Sequence, residues 1–560
     1  MPQSYPRQDA TVSLETRALF PEGTNLRLVF INTFGHPLPD EPKITAELGI
    51  VGQGTWQNQP ANQRIDIPPL LNRHTFETLG AYSLVGIELR GSTSLKFPKK
   101  GYGIETKNIT QIETTAAGHG VEFSAFLDQL NINSGVFNAT ISVEDLDQDI
   151  SLLGMPKEED WVLHGPYADK TLIRNHLAYT MSRWTGAAYS PRTELVEVFL
   201  TDAQEEDKEK EYSYQGVYLW TEKVKRNKAR VNIGKLKAGE DQTQGGIILS
   251  IDNIKGKTNE GFHSDYTSAG VRNVEGARGL PVEILYEDPD SGDFAKCDPD
   301  PGETCMRSKQ QTYIQGTFRS FETALSNLRG DSPLSELEAV MNVPSFVDYL
   351  LFTELTRNPD GYRHSVYMYK DKDPNLSTTA PFYMGPVWDY NIAFGNSYGC
   401  NGTSSSGWQF TCTEVGDGLP IPFWWRQLTE NAQFRRQMAS RWQELRADGG
   451  AFSTARINAF IDQESAKLKA KGAATRNFNR WDVLGRQIPP GLHDERITTF
   501  DGEISQFKSW IGARTTWMDS NLPSADNGYM VQSVSSGTEV VAGTVTLMGA
   551  LVVAAVMSIF

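Results

Sequence analysis

Cysteine, histidine and positive charge are all scarce in this chain of 560 residues. It has 4 cysteines and 8 scattered histidines, and it contains neither a His-Glu-x-x-His nor a Gly-x-Ser-x-Gly motif. These absences argue against a zinc protease and against a serine hydrolase. Lys and Arg number 53 against 69 Asp and Glu, which gives a formal charge of -16. Because nucleic-acid phosphates require a basic surface, we predict no nucleic-acid partner.

The four cysteines form two local pairs in polar loops. Cys297 and Cys305 lie in CDPDPGETC, and Cys400 and Cys412 lie in CNGTSSSGWQFTC. Neither pair has the Cys-x-x-Cys spacing of a zinc site. Two disulfides that close these loops are the favoured interpretation, and buried free thiols are the alternative.

A long apolar run is missing near the N-terminus but present at the C-terminus. Residues 540–560 carry no charge, are long enough to span a bilayer, and follow a polar spacer rich in small residues. This layout predicts a glycolipid-anchor signal, with a tail-anchored helix as the alternative. Residues 1–20 have no signal-peptide core, so we expect the given N-terminus to be incomplete. Glycosylation triplets are common by chance, but four of them fit a secreted protein, and they begin at Asn108, Asn138, Asn375 and Asn401.

The spacing of apolar residues predicts an α+β fold with four regions. Short β-type runs broken by Gly and Pro dominate residues 1–75, which we interpret as a β-rich extension or accessory domain. Residues 76–240 mix strands with one amphipathic helix, and residues 241–520 become mostly helical. Residues 521–560 contain the polar spacer and the hydrophobic tail.

Two aspartates stand at the ends of predicted elements. A helix, PSFVDYLLFTELTRN, for which we predict Ser345 as the N-cap, leads into Asp360. A strand follows, and a second predicted strand, PFYMGPVWDY, carries Asp389. Phosphoryl-transfer enzymes of the protein-kinase type place a catalytic Asp and a magnesium-binding Asp in this order. Ser365 stands five residues after Asp360, where kinases have a second metal ligand, and Asn391 follows Asp389. The alternative is that both aspartates are turn formers or helix caps.

A glycine and serine turn lies upstream, in RGSTSLKFPKKGYGIE. Its N–H groups and hydroxyls suit phosphates, and Lys99 or Lys100 on the following strand would pair with them. An ordinary hairpin with a basic exposed strand is the alternative.

Six blocks that occur in order carry a resemblance to a known family. They are RGSTSLKFPKKGYGIE, DWVLHGPYADKTLIRNHLAY, YSPRTELVEVFL, YQGVYLWTEKVKRNKARVNI, NPDGYRHSVYMYKDKD and GPVWDYNIAFGN. Together they resemble the CotH family, the atypical kinases similar to spore coat protein H, over roughly residues 80 to 450. The chain also resembles the fungal, surface-anchored branch of that family.

The resemblance implies a divergent, two-lobed kinase-like fold. Residues 76–240 would form the N-lobe and residues 241–520 the C-lobe. The protein would use ATP with Mg²⁺ or Mn²⁺ to phosphorylate Ser or Thr of proteins, or of itself. It would act at the extracellular face of the membrane or at the cell or spore surface, held by the C-terminal anchor.

Individual positions match the family blocks. Asp360 matches the catalytic aspartate and Asp389 the metal-binding one, while Ser365 and Asn391 are further candidate metal ligands. Glu222 is placed on the strand that leads to the hinge between the lobes. The match implies nucleotide binding by a larger set, namely Arg90, Gly91, Ser92, Ser94, Lys99, Lys100 and Glu222. Arg174 and Asn175 match a helix block and are expected to support the site from outside it.

Three features depart from the family pattern or add to it. Asn391 stands where members often have a second acidic ligand, and this difference argues against activity with two metal ions. Residues 255–270 loosely match an exposed loop linked to host-cell adhesion, which supports an alternative function as a surface adhesin that binds a host receptor. His164 and His364 flank the family blocks and are interpreted as structural histidines.

Overall fold

The computed structural model describes a large part of the chain. It covers residues 10–12, 14–52, 65, 70–71, 73–120, 126, 136–137, 141–142, 146–201, 211–236, 245–254, 261–274, 280–289, 307–375, 378–413, 419–488 and 497–522. The predictions on Cys297, Cys305, Asn138, residues 255–260 and the tail at 540–560 lie outside these ranges. Within the described ranges, no helix combines the length and apolar character needed to cross a membrane.

The described residues form a mixed structure of β-sheets and helices, as the predicted α+β class requires. The strands are β1 (Ala10–Val12), β2 (Arg27–Asn32), β3 (Ile44–Val51), β4 (Leu70–Leu71), β5 (Gly80–Arg90), β6 (Gly101–Lys107), β7 (Val136–Phe137), β8 (Ile141–Ser142), β9 (Asp160–His164), β10 (Thr193–Thr201), β11 (Glu211–Glu222), β12 (Ile247–Ile251), β13 (Gly261–Thr267), β14 (Pro281–Asp288), β15 (Val366–Lys370) and β16 (Tyr383–Met384). The helices are α1 (Leu14–Ala18), α2 (Arg73–Leu79), α3 (Ile109–Gly118), α4 (Arg174–Trp184), α5 (Arg307–Asn327), α6 (Val343–Thr356), α7 (Trp424–Glu430), α8 (Ala432–Arg446), α9 (Thr454–Ala470), α10 (Ala473–Arg480) and α11 (Phe500–Asn521).

The larger sheet closes on itself. Its strands run in the order β10-β2-β3-β5-β6-β9-β11, and β11 then pairs with β10, so seven strands complete a ring. β2 lies parallel to β10, and the other neighbours in the ring are antiparallel. Alternate residues of all seven strands share one buried cluster, because successive side chains of a strand point to opposite faces. This cluster fills the inside of a barrel.

The first strands of the chain are integral to this barrel. β3 pairs with β5 over eight residues, from Ile44 opposite Ile87 to Val51 opposite Gly80. β2 is buried on both faces: Val29 joins the barrel interior, and Phe30 packs outside beside Phe76 of α2. The sheet therefore crosses the boundary that we placed at residue 75, and no separate accessory unit is seen in residues 27–51.

A second sheet and most of the helices form the rest of the described chain. The sheet is antiparallel, in the order β13-β14-β12-β15-β16. One large core joins it to α5, α6, α7, α8 and α11. Helix α4 links the two halves, since Leu177 and Met181 belong to this core together with Leu195, Val217 and Leu219 of the barrel strands.

Two local predictions need correction. Asn342, not Ser345, caps α6: its side chain accepts the Ser345 N–H at 3.0 Å, and Pro344 lies in the first turn. The predicted strand PFYMGPVWDY shrinks to Tyr383–Met384. Pro386 has no N–H to donate to a strand ladder, so the chain leaves the sheet before it reaches Asp389.

Candidate active site

Asp360 lies in the turn that follows α6. The helix ends at Thr356, and Arg357 reverses the chain with a φ of 48°. The Asp360 carboxylate accepts a hydrogen bond from Arg363 Nη2 at 3.2 Å, and its carbonyl oxygen accepts the N–H groups of Arg363 and His364 at 2.9 Å each. The Asp360 side chain is 31% exposed. The turn thus fixes the carboxylate while leaving it open to solvent.

The backbone around Asp389 is held from two sides. Asp389 has a φ of 57°, in the left-handed region that Asp tolerates better than most residues. Its N–H donates to Tyr179 Oη at 3.2 Å, and its carbonyl oxygen accepts from Asn358 Nδ2 at 3.1 Å. The next N–H, of Tyr390, donates to Asn175 Oδ1 at 2.6 Å. Asn175 and Tyr179 lie one turn apart on α4, so this helix and the Asp360 turn together position Asp389.

The Asp389 carboxylate lies in an acidic environment. It is exposed to solvent, and no hydrogen bond to its oxygens is found among the described residues. Although the residue has solvent contact, the surrounding protein partly desolvates the carboxylate and so makes its ionised form less favourable. The nearby negative charges of Asp360 and Asp252 act in the same direction, and the pKa of Asp389 is raised to about 6. Arg90 and His364 act in the opposite direction. The structure therefore brings Asp360, Asp252 and Asp389 close enough for their charges to interact, at a site that we call the cleft.

Asp252 is a third carboxylate of this cleft, and the sequence analysis missed it. It follows β12, and its Oδ2 accepts the N–H and the hydroxyl of Ser365 at 3.1 and 3.3 Å. Its Oδ1 lies 3.2 Å from His364 Nδ1 and accepts the Asn253 N–H at 2.8 Å. Burial would raise the pKa of Asp252, but these hydrogen bonds outweigh it and lower the pKa. The available signal was an Asp directly after the apolar run IILSI, before a polar segment.

Arg90 brings positive charge from the barrel to the cleft. It ends β5, and its guanidinium carbon lies 5.8 Å from the centre of the Trp388 ring, beside Asp389. Arg90 acts to lower the pKa of Asp389 and that of Glu287, and Lys223 also acts on Glu287. The net pKa of Glu287 is nevertheless raised, because burial dominates. The cleft is therefore acidic on the β12 and β15 side and basic where the barrel faces it.

The glycine and serine turn takes the predicted place between β5 and β6. Gly91 has a φ of 127°, a conformation that residues with a side chain rarely adopt, and a Cβ there would also force the Ser94 hydroxyl to move. Ser92 precedes a short 3-10 helix, Thr93–Lys96, that contains Ser94. The turn directly follows Arg90, at the end of the barrel nearest Trp388.

The two candidate lysines are engaged elsewhere. Lys99 is 1% exposed, and its Nζ donates to the Val217 carbonyl oxygen at 2.6 Å and to Asn477 Oδ1 at 2.8 Å. Burial lowers the pKa of Lys99 well below its usual range. Lys100 Nζ donates to the Leu95 carbonyl oxygen at 2.5 Å, at the end of the 3-10 helix. Lys99 thus ties the barrel to α10, and Lys100 stabilises the turn.

Glu222 is the last residue of β11, where the chain leaves the barrel. It is fully buried, and its Oε1 accepts hydrogen bonds from the Arg192 guanidinium at 2.6 and 3.0 Å. Arg230 lies 3.8 Å from the same oxygen. These ion pairs hold the segment that connects the barrel to the second sheet.

Ser365 and Asn391 differ in how closely they are tied to the cleft carboxylates. Ser365 lies directly against Asp252, with a left-handed φ of 53°. Asn391 is two residues beyond Asp389, and its carbonyl oxygen accepts a hydrogen bond from Asn396 Nδ2 at 2.8 Å. The structure shows Ser365 in direct contact with a cleft carboxylate and shows no such contact for Asn391 among the described residues.

A separate acidic group lies on the barrel. Ligand atoms of Asp149, Glu158 and Glu159 all fall within 4.8 Å of one another. Lys225 Nζ already reaches this group, at 2.6 Å from Glu159 and 3.3 Å from Glu158. An ammonium thus supplies the positive charge there. In the described part of the chain, the carboxylates of Asp252, Asp360 and Asp389 do not meet the same close spacing.

The donor set of the cleft suits a hard divalent cation. Mg²⁺ and Mn²⁺ prefer carboxylate and hydroxyl oxygens and keep several waters, so a few widely spaced ligands suffice. Asp389 offers an exposed carboxylate without a hydrogen-bond donor among the described residues, and Ser365 offers a hydroxyl. The residues present therefore fit such an ion, with phosphate oxygens completing its coordination.

Comparison with known proteins identifies the family. None of the curated proteins compared with this chain matches it. A family model described as CotH kinase protein matches residues 87–518, which include the end of β5, the glycine and serine turn and all three cleft carboxylates. This match spans most of the chain, and the chain belongs to the CotH kinase family.

Proposed function

We propose that this protein is an ATP-dependent kinase that transfers the γ-phosphoryl group to Ser or Thr hydroxyls of proteins, or of itself. One observation carries the proposal. Asp360 and Asp389 come from different elements, yet their charges interact at a single cleft in a chain of the CotH kinase family. Kinases use this pair of carboxylates, one toward the acceptor hydroxyl and one toward the metal.

The two aspartates have distinct roles in this proposal. Asp360, held by Arg363, orients the acceptor hydroxyl and accepts its proton late in the reaction. Asp389, with Ser365 as a weaker partner, holds the divalent ion. A bound Mg²⁺ or Mn²⁺ supplies neutralising charge to the transferred phosphoryl group. Tyr179 and Asn175 keep the Asp389 backbone in place, so the site is organised before substrate arrives.

Arg90, not Lys99, is the proposed phosphate-facing cation. The Lys99 ammonium already donates to the Val217 carbonyl oxygen and to Asn477 Oδ1, so turning it toward a phosphate would break two buried hydrogen bonds. Arg90 faces the cleft beside Trp388, and its planar guanidinium suits phosphate oxygens. The N–H groups of the turn after Gly91 lie next to it in sequence.

The test is calorimetric titration of ATP into the protein, with and without Mg²⁺, followed by a phosphoryl-transfer assay. Asp389→Asn should abolish Mg²⁺-dependent binding, and asparagine keeps the tolerance for a left-handed φ that alanine would lose. Asp360→Asn should keep binding but lose at least 100-fold in transfer rate, on the order expected for a catalytic acid or base. Asp462→Asn, at an exposed ion pair on α9, is the matched control. Unchanged Mg²⁺-dependent binding in Asp389→Asn would refute the assignment.

The proposal extends to a location at the outer cell surface, where members of the fungal branch are anchored. The Cys400–Cys412 disulfide supports an oxidising compartment, and the apolar run at 540–560 supports an anchor. Release from intact cells by a phospholipase that cuts glycolipid anchors would test this proposal. Retention after that treatment would favour a spanning helix.

A further inference from the structure

Ser365 is a weak ligand by chemistry, since a neutral hydroxyl replaces the amide that kinases carry at this position. We propose that Asp252 is a positioning residue that orients the Ser365 hydroxyl, so that its oxygen faces the cleft as a metal ligand. The proposal rests on the proposed function for the identity of the site. It goes beyond that function by assigning a role to a residue outside both motif blocks.

Strand register brings the two residues together. β12 and β15 are antiparallel, with Ile251 opposite Val366, so Asp252 leaves one strand where Ser365 enters the other. Both donors of Ser365, its N–H and its hydroxyl, point to the same oxygen, Oδ2, at 3.1 and 3.3 Å. One carboxylate oxygen therefore fixes both the backbone and the side chain of Ser365.

The hydrogen bond to Asp252 determines whether the proton or the lone pairs of the Ser365 hydroxyl point toward a bound cation. A serine hydroxyl has one proton to donate and two lone pairs that accept. When the proton is donated to Asp252, the lone pairs of Oγ remain free for a cation. A freely rotating hydroxyl could instead point its proton at the cation, which would repel it.

The carboxylate is itself rigidly held. Its other oxygen, Oδ1, lies 3.2 Å from His364 Nδ1 and accepts the Asn253 N–H at 2.8 Å. The N–H bond from Ser365 also supports its left-handed φ of 53°, which is costly for serine. Asp252 thus has the fixed orientation that a positioning residue needs.

A purely structural role makes a different prediction. If Asp252 only ties β12 to the Asp360 turn, its loss would lower stability without a specific effect through Ser365. Asparagine at position 365 separates the two roles. Unlike a hydroxyl oxygen, an amide oxygen carries no proton, so it can bind a cation without Asp252 to orient it. Asparagine also tolerates the left-handed conformation better than serine.

The experiment uses Mn²⁺ alone as the probe and measures its dissociation constant by electron paramagnetic resonance on the full chain. Asp252→Asn and Ser365→Ala should each weaken Mn²⁺ binding about tenfold, and the double variant should be no worse than either, because residues that act as a unit are not additive. Ser365→Asn should restore binding in the Asp252→Asn background. Glu287→Gln is the control for the loss of a negative charge near the cleft. Adding Ser365→Asn to that variant should not change its Mn²⁺ affinity.

Two outcomes would overturn the inference. Additive losses would mean that Asp252 acts independently of Ser365, through its charge. Failure of Ser365→Asn to restore binding, with thermal stability unchanged by the substitution, would remove the orienting role. Because the readout needs no nucleotide, a protein that binds Mn²⁺ with this pattern but does not bind ATP would contradict the proposed function and leave the inference supported.

Discussion

Asp389 shows at the scale of one residue how a functional group opposes stability. Its carboxylate has a raised pKa of about 6 and no hydrogen-bond donor within the described chain. A folded-state pKa above the unfolded value means that ionisation costs the folded state more than the unfolded one. The penalty is therefore present above pH 6 and absent below the unfolded pKa, and a bound divalent ion would remove it.

Neutralising Asp389 should accordingly stabilise the protein only where the carboxylate is ionised. We expect Asp389→Asn to raise the melting temperature at pH 7 and to leave it unchanged near pH 3.5, where the native side chain is protonated. Calorimetric melts of both proteins across this range check the sign. A gain of equal size at both pH values would show that the charge is not its cause. In the wild type, Mn²⁺ affinity should fall as pH decreases through about 6.

At the residue scale, the sequence did not decide whether Lys99 or Arg90 faces the cleft. Both are cations near the same turn, and the spacing of the block favoured the lysines. Burial of the Lys99 side chain between β11 and α10 depends on residues more than 100 positions away, Val217 and Asn477. Local spacing contains no information about such partners.

The structure predicts opposite consequences for the two cations. Lys99→Met keeps the apolar stem but removes two buried hydrogen bonds, to the Val217 carbonyl oxygen and to Asn477 Oδ1, so it should cost about 1–3 kcal/mol of stability with ATP affinity retained. Arg90→Gln should weaken Mg²⁺-dependent ATP binding with little change in stability. Urea unfolding and calorimetry on each variant check both statements. Lost ATP binding by a folded Lys99→Met protein would restore the original assignment.

At the scale of elements, a buried ion pair anchors the loop that follows Asp389. Glu354 of α6 and Arg514 of α11 are both fully buried, and their charged atoms lie 3.2 Å apart. Glu354 also accepts the N–H groups of Gln409 and Phe410, inside the loop closed by the Cys400–Cys412 disulfide. The prediction of a loop disulfide is confirmed for this pair. Residues of two helices therefore hold this loop in place.

Replacing one member of the Glu354–Arg514 ion pair should be more destabilising than replacing both members. Glu354→Gln or Arg514→Met alone leaves one buried charge without its partner and should cost about 3–5 kcal/mol. The double variant leaves no unpaired charge, so its loss should be smaller than the sum of the single losses. Urea midpoints of the three variants provide the measurement. Strict additivity would show that the two side chains act independently.

Elements with local signals were predicted better than those without. The strands around the glycine and serine turn and the helix before Asp360 are present, because apolar periodicity and a polar turn encode them locally. The N-cap was wrong by three residues, since Asn342 and Ser345 both suit the position and side-chain geometry selects between them. The strand before Asp389 was too long, because the apolar run continues after the chain has left the sheet.

At the scale of the whole molecule, the closed barrel depends on strands outside the family match. The match begins at residue 87, whereas β2 and β3 lie within residues 27–51 and stand between β10 and β5 in the ring. Without them the barrel would have two open edges, and its apolar interior would face solvent. These strands are therefore required for the fold, although they lie outside the matched region.

A chain that begins at residue 76 should consequently fail to fold. We expect aggregation and no cooperative melting, as measured by size-exclusion chromatography and circular dichroism. The matched control begins at residue 14, which removes only β1 and the residues before it. A soluble, cooperatively melting protein that starts at residue 76 and binds Mg²⁺-ATP would show that the first two barrel strands are dispensable.

The sequence by itself determined the α+β class, the family and the turn, and it drew attention to the two aspartates, because short motifs and local periodicity carry this information. Tertiary structure alone decided the rest. It decided that the barrel closes through its first strands, that Lys99 is buried, and that Asp252 joins the cleft. The physical reason is that strand register and burial arise from contacts between distant segments, and these determine which of several suitable side chains faces the site.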